Sequence, residues 1–499
     1  MTHSRVPRKG IVLLFLMLVT FTVFGNTFLN QWTYDDPPVV LKNPDAHSIA
    51  GFLENTRHGR PMRELTYIPE HLLFGDKPAG YHVQQLAWHG MNGFLLVIFF
   101  NALGIELPCA LLGALFFLVH PLQVESVANI ANRKELLALF FCLGALLCYV
   151  KSFSLQGVRR ILLWGGALAA YGGALLSNET TVTLPLAAIL YEWLMVEQGK
   201  RVLLRKPILT LTVSIAVAAV LFYRFRGLLA ADQLLTVYSK NSFGASQSYI
   251  PLFMGAMKAF GFYISKIIVP VSLAPEYTFQ LSESPWQPWA LLSLALLGTV
   301  AVCAVLLRRT FPRVSLGIGW FLLFWLPVSD LVPVSYLAAD RYMYLCVPGV
   351  SLVLAALLQR WPNRLFVAGT WLVLVVFAGL TVIQNGYWRN EHILWRHAVT
   401  VNPDSTWVQE TVGLSYLLTG EYDKAAEHAR KAIRLNRFNT RAYVTLAKAQ
   451  ERLGNLEEAV MNYEIFASFG AMEYPEEAAQ IRLYLPALRE RLAAQKGLQ

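Results

Sequence analysis

Long apolar runs alternate with short polar connectors over the first three quarters of the chain. The first, "GIVLLFLMLVTFTVFGNTFL", ends at Leu29 and is long enough for the ~20 residues that a helix needs to cross a bilayer. The pattern predicts about eleven membrane spans, near 10–30, 82–103, 107–120, 134–150, 160–177, 179–196, 207–223, 289–307, 314–330, 342–359 and 364–385. Residues 251–270 are also apolar but carry Lys258 and Lys266, which favours an amphipathic helix at the interface over a twelfth span. Between the first two spans lies a loop, 31–81, rich in aromatic and polar residues. The expected fold class is all-α, with a polytopic helical membrane domain at 1–386 followed by an α-solenoid at 387–499.

The solenoid is read from a change of period. Beyond "YWRNEHILWRHAVTVNP" the chain repeats every 34 residues: Gly413 aligns with Ala447, Gly420 with Gly454, and Ala425 with Ala459. Small residues recur where paired helices approach closely, and Gly recurs at the turn between them. Two full repeats, 406–439 and 440–473, have the form of tetratricopeptide repeats, with a half-repeat before them and a capping helix after. Such stacks bind peptides or proteins in a concave groove, or act as a rigid lid.

Composition agrees with a membrane chain: 55% of the 499 residues are hydrophobic and 15% charged. The net charge of +10 does not point to nucleic acid, because from Tyr387 onward 14 basic residues meet 14 acidic ones. The excess lies in short loops between alternate spans: Arg5/Arg8/Lys9, Lys151/Arg159/Arg160, Lys200/Arg201/Arg205/Lys206, Arg308/Arg309/Arg313 and Arg360/Arg364. The positive-inside rule puts these in the cytoplasm. The N-terminus is then cytoplasmic, while the loop 31–81 and the repeats face the outside. The first run lacks a small-residue cleavage site and is read as a span, not a signal peptide. The five cysteines lie in apolar runs without a CxxC, so neither a disulfide framework nor a zinc site is expected.

Four places carry candidate chemistry. Asp35 and Asp36, in "NQWTYDDPPVVLKNP", sit where the chain leaves the first span; the pair is either a turn before Pro-Pro or a general base for a hydroxyl. His120 and Glu125, in "HPLQVESVANIANRKE", together with Arg133, suggest a hydrogen-bonded network; their spacing suits no single helical face, and a divalent metal is not expected. Asp340 and Arg341, in "SYLAADRYMY", are read either as structural, through an Asp340–Arg341 pair, an inter-helix ion pair or snorkelling, or as a phosphate clamp, since guanidinium matches phosphate oxygens in two-pronged geometry. Glu179, in "LLSNETTVTLP", is a second acid or an orienting group, and Arg60 belongs to the polar outer loop. There is no GxxxxGK[ST], GxSxG or HExxH motif, so the sequence offers no site for cytoplasmic nucleotide hydrolysis.

Taken together, "YDDPPVVLKNP", "RPMRELTYIPEHLLFGDKPAGYHVQQLAWHGMN", "HPLQVESVANIANRKELLALFF", "SNETTVTLPLAAILYEW", "DRYMYLCVPG" and the repeats resemble the transmembrane and tetratricopeptide-repeat O-mannosyltransferases and their bacterial relatives. The resemblance covers nearly the whole chain and implies a C-type glycosyltransferase fold in a bacterial inner membrane. It implies an inverting protein glycosylation enzyme that uses a polyprenyl-phosphate sugar as donor, with a protein or peptide hydroxyl, or a glycan, as acceptor. It implies Asp35 and Asp36 as catalytic carboxylates and no metal cofactor, and Arg341 is the candidate to bind the donor phosphate. Arg60, His120, Glu125, Arg133, Glu179 and Asp340 would support the outer loop. Two rival readings are a non-catalytic scaffold that docks envelope proteins through its repeats, and a lipid-linked polysaccharide polymerase or ligase.

Overall fold

The computed structural model describes residues 9–55, 59–204, 250–279, 284–331 and 337–497. Among them the architecture is all-α. The chain divides into two compact units, 1–389 and 390–499.

In the first unit the helices are α1 (Lys9–Phe24), α2 (Ile49–Glu54), α3 (Pro61–Phe74), α4 (Pro78–Ala102), α5 (Leu107–Val119), α6 (Val124–Ala128), α7 (Arg133–Ser152), α8 (Gly157–Ser177) and α9 (Leu184–Met195). They continue with α10 (Ile250–Ile268), α11 (Pro288–Leu306), α12 (Pro312–Trp325), α13 (Val347–Arg360) and α14 (Arg364–Gly386). Ten of the eleven expected spans coincide with helices; the eleventh, 207–223, lies outside the described residues, as do Arg5, Arg8, Arg205 and Lys206.

Among the described residues five stretches are long and apolar enough to cross a membrane unaided: Lys9–Leu29, Ile130–Ser152, Gly157–Ser177, Pro288–Leu306 and Arg364–Gly386. A sixth is broken, because Leu107–Val119 and Pro121–Ala128 meet at a bend of 54°. Pro121 causes the break: the residue before a proline is driven to extended backbone, and His120 has φ −71° and ψ 126°. Of the other expected spans, α4 has 25 residues, while α9, α12 and α13 are helices of 12 to 14 residues, about 18–21 Å at 1.5 Å per residue, shorter than a ~30 Å hydrocarbon core. The chain is an integral membrane protein. α10 is an amphipathic helix, with Met254, Met257, Phe260 and Tyr263 on its buried side.

Close packing is set by small residues. A Cβ on Gly349 would stand 2.4 Å from the Gly317 carbonyl oxygen, so α12 and α13 touch backbone to backbone. Between α1 and α4 the loop folds into short turns and two helices, whose Val40, Ala46 and Tyr67 pack with Tyr81 of α4 and Ile130 in a core of their own.

In the second unit α15 (Glu391–Val401) precedes two helix pairs, α16 (Thr406–Thr419) with α17 (Tyr422–Leu435) and α18 (Thr440–Arg452) with α19 (Leu456–Phe469), and α20 (Pro475–Gly497) follows. Gly420 and Gly454 occupy equivalent turns at φ +83° and +84°, a conformation that favours glycine. Gly413 lets α16 approach α17, since a Cβ there would lie 3.3 Å from the Ala425 carbonyl oxygen.

Candidate active site

The acidic pair is presented by a tight turn. The Asp36 N–H donates to the Thr33 carbonyl at 3.1 Å, Tyr34 takes a positive φ of +61°, and Val39 N–H donates to the Asp35 carbonyl at 3.2 Å. For a tyrosine that backbone is strained, and such strain persists only where surrounding contacts enforce it. Here the end of α14 enforces it. Gln31 N–H donates to the Arg389 carbonyl at 2.8 Å, the Tyr34 and Trp388 rings meet edge to face, and Trp388 is buried.

The two neighbouring carboxylates have different surroundings. Asp36 is fully buried and accepts N–H bonds from Ala131 at 2.8 Å and Thr33 at 3.3 Å. Burial pushes its carboxyl up to about 8; the two N–H groups pull the other way, and the Asp35 charge adds to the rise. Asp35 is partly exposed, and its carboxylate makes no hydrogen bond or ion pair among the described residues. Its charge is felt at Asp36 and at Glu125.

The segment that receives Asp36 is locked from several sides. Tyr67 donates its hydroxyl to the Ile130 carbonyl at 2.7 Å, and the Gln85 amide donates to the Asn129 carbonyl at 3.1 Å. Arg133 is the hub. Buried at the start of α7, it donates to both oxygens of Glu70 at 2.6 and 3.0 Å, and to Gln85 and Gln84 at 2.8 Å. Its guanidinium lies 4.4 Å from the Tyr67 ring centroid. Burial raises the Glu70 carboxyl to about 7 against the pull of Arg133.

The motif at the helix break is structural at its histidine. His120 Nδ1 accepts from Leu122 N–H at 3.2 Å, and Nε2 pairs with the Ile267 carbonyl at 3.1 Å, which fixes the neutral tautomer with hydrogen on Nε2. Both ring nitrogens are thereby used. Among the described residues no group of three His, Cys, Asp or Glu is arranged to hold a metal ion.

Arg341 pairs with Glu125, not with its neighbour Asp340. The Glu125 carboxylate takes the Arg341 backbone N–H at 2.8 Å and Nη1 of its guanidinium. Nη1 also donates to the Pro275 carbonyl at 3.3 Å. The Glu125 charge holds Arg341 above its usual range against the effect of burial. Asp340 instead accepts the Tyr277 hydroxyl at 2.7 Å, and burial pushes its carboxyl well up. Arg60 reaches across to Glu179 at 2.7 Å, tying the outer loop to the turn after α8. The structure therefore places Asp35, Asp36, Glu125 and Arg341 in one corner. It supplies partners that sequence reasoning had not named: Glu70, Gln85, Tyr67 and Trp388. Glu70 and Gln85 do stand in helices with apolar neighbours, which marks them as groups needing a partner.

The tetratricopeptide-repeat family matches residues 410–439 and 440–464. Along most of its length the chain is similar to protein O-mannosyl-transferases. It is 23% identical to TMTC3 of Mus musculus over 91% of this chain and 54% of the relative. It is 25% identical to TMTC4 of Homo sapiens over 79% and 62%, and 22% identical to F38B6.6 of Caenorhabditis elegans over 82% and 60%. The resemblance read from the sequence motifs holds across the membrane unit and the repeats, while the chain spans between half and two thirds of these relatives' length.

Proposed function

We propose that this protein is a membrane glycosyltransferase that moves a sugar from a polyprenyl phosphate to a protein hydroxyl at the extracytoplasmic face. The observation that carries the reading is the division of labour in the acidic pair: Asp36 is buried and held by backbone N–H groups, and Asp35 is left partly exposed and unpaired at the mouth of α1. A fixed, open carboxylate beside a locked loop is suited to take a proton from a hydroxyl. The likeness to protein O-mannosyl-transferases supports the same chemistry.

In this reading the acceptor oxygen attacks the anomeric carbon and Asp35 takes the hydroxyl proton. The new O–C1 bond forms as the bond from C1 to the phosphate oxygen breaks, and that electron pair stays on the phosphate. Attack opposite the leaving group inverts the anomeric centre. The lipid phosphate is already a good leaving group, so no strong acid is required. Positive charge is needed near it, and Arg341 supplies a field from its place beside Glu125. The basic-loop bookkeeping places this corner and the repeats outside the cytoplasm, where the repeats would meet the acceptor protein. The test is a membrane preparation given labelled polyprenyl-phosphate mannose and an acceptor peptide. Product is expected with the parent protein, and its absence with every polyprenyl-phosphate sugar supplied would overturn the proposal.

A further inference from the structure

Among the described residues, four arginines around the acidic loop have a carboxylate partner. Arg60 meets Glu179 at 2.7 Å, Arg63 meets Glu64 at 3.5 Å, and Arg133 meets Glu70 at 2.6 Å. Arg341 is held by Glu125. One cation of the same corner is not matched in this way. Lys134, next to Arg133 at the start of α7, has the Glu135 carboxylate at 3.8 Å, beyond hydrogen-bond range. Its ammonium donates no hydrogen bond to any described residue, although the side chain is only 16% exposed. Its electrostatic neighbours are Arg60 and Arg341, both of like charge, with Glu135 and Glu179 opposing them.

A largely buried ammonium with three idle donors is costly, and crowding it among other cations costs more. Two further polar atoms of this corner are buried without a partner, Nε of Arg60 and the hydroxyl of Thr180, which follows Glu179 in the chain. Idle donors beside positive charge, with the ammonium still 16% exposed, are complementary to a phosphate oxygen. Lysine binds phosphate as a compact point charge and needs no fork. A bound phosphate would satisfy the donors and relieve the repulsion among Lys134, Arg60 and Arg341 together.

We propose that Lys134 makes the direct contact to the phosphate of the lipid donor, and that Arg341 acts on that phosphate only through its field. The inference rests on the donor reading above and moves the contact from the guanidinium that Glu125 already holds to the ammonium that donates no hydrogen bond to any described residue. As the bond from C1 to the phosphate oxygen breaks, the charge left on the phosphate develops beside Lys134.

The experiment uses full-length protein in lipid nanodiscs with three probes: polyprenyl phosphate, polyprenol and inorganic phosphate. An amine-acylating reagent is applied to the unmutated protein, and labelling at Lys134 is read by mass spectrometry. Polyprenyl phosphate is expected to slow labelling of Lys134, while polyprenol and inorganic phosphate at equal concentration leave it unchanged. Lys134→Met is expected to weaken polyprenyl-phosphate binding about tenfold to a hundredfold, the range for a lost charge-assisted hydrogen bond, and Lys134→Arg is expected to restore most of it. Parental binding by Lys134→Met, or labelling that the lipid phosphate does not slow, overturns the assignment and leaves the donor reading standing. A parent that binds polyprenyl phosphate no better than polyprenol overturns the donor reading itself. Equal protection by inorganic phosphate would make this a free-anion site and overturn the lipid assignment.

Discussion

Replacing each member of the acidic pair by asparagine separates a base from a structural acid. Among the described residues the Asp35 carboxylate has no hydrogen-bond or ion-pair partner to lose, so Asp35→Asn should change stability by no more than about 0.5 kcal/mol, the usual range away from packed or paired sites. If Asp35 is the base, its removal should still cut transfer by about 10²–10⁴-fold. Asp36→Asn does the reverse. Asn keeps one acceptor oxygen for the Ala131 N–H at 2.8 Å but turns an NH₂ toward the Thr33 N–H at 3.3 Å. A buried donor left unsatisfied costs about 1–3 kcal/mol.

The pH dependence sharpens the contrast. The Asp36 carboxyl is raised from 3.8 to about 8, so between these values the folded protein keeps a proton that the unfolded chain releases. Stability contributed by this group therefore falls as pH rises through that window, by at most about 1.4 kcal/mol per unit, and is flat outside it. Asn cannot ionise. The stability of Asp36→Asn relative to the parent should then improve steadily from pH 5 to about pH 8 and level off above it. Thermal unfolding in detergent across that range, run beside the transfer assay, reads both effects. A pH-independent difference would refute the buried-acid argument for Asp36, and parental transfer by Asp35→Asn would refute its role as base. Parental transfer by both single variants and the double variant would reduce the pair to a turn before Pro37 and favour a scaffold.

Three other outcomes are expected. Arg133→Met strips the charge partner from Glu70 and leaves Gln85 and Gln84 without their donor, so it should destabilise the fold by about 3–5 kcal/mol; an unfolding midpoint within a degree of the parent would contradict the hub role. Arg341→Lys keeps a positive charge beside Glu125 but cannot also span to the Pro275 carbonyl at 3.3 Å. Transfer should fall far more than stability does, and full activity would mean that the placement of this charge is immaterial. A reporter fused after Gln499 should be active only if it works outside the cytoplasm, and strong activity from a cytoplasm-only reporter would put the repeats and the acidic loop on opposite faces.

What the sequence could convey follows from the range of each interaction. The repeats were readable because their determinants are local: Gly420 and Gly454 mark turns at φ +83° and +84°, and that need recurs in the chain every 34 residues. The broken helix was half readable, since Pro121 announces a disruption but not the bend of 54°. The pairings of the site were hidden, because no period links Glu70 to Arg133 or Glu125 to Arg341 across 63 and 216 positions. Sequence proximity left Asp340 and a residue of another helix equally open as the partner of Arg341, and tertiary packing decides for Glu125. The assignment within the acidic pair turns on one backbone angle. Tyr34 at φ +61° aims Asp36 inward at the Ala131 N–H and leaves Asp35 facing out. A tyrosine gives no advance sign of that conformation, as a glycine would, because the cause is elsewhere: Trp388 and Arg389, more than 350 residues along the chain, hold the turn in place. The proposed chemistry would thus depend on a contact between the two ends of the membrane unit, and under that proposal the pair could act only after the last span of that unit has packed against the first loop.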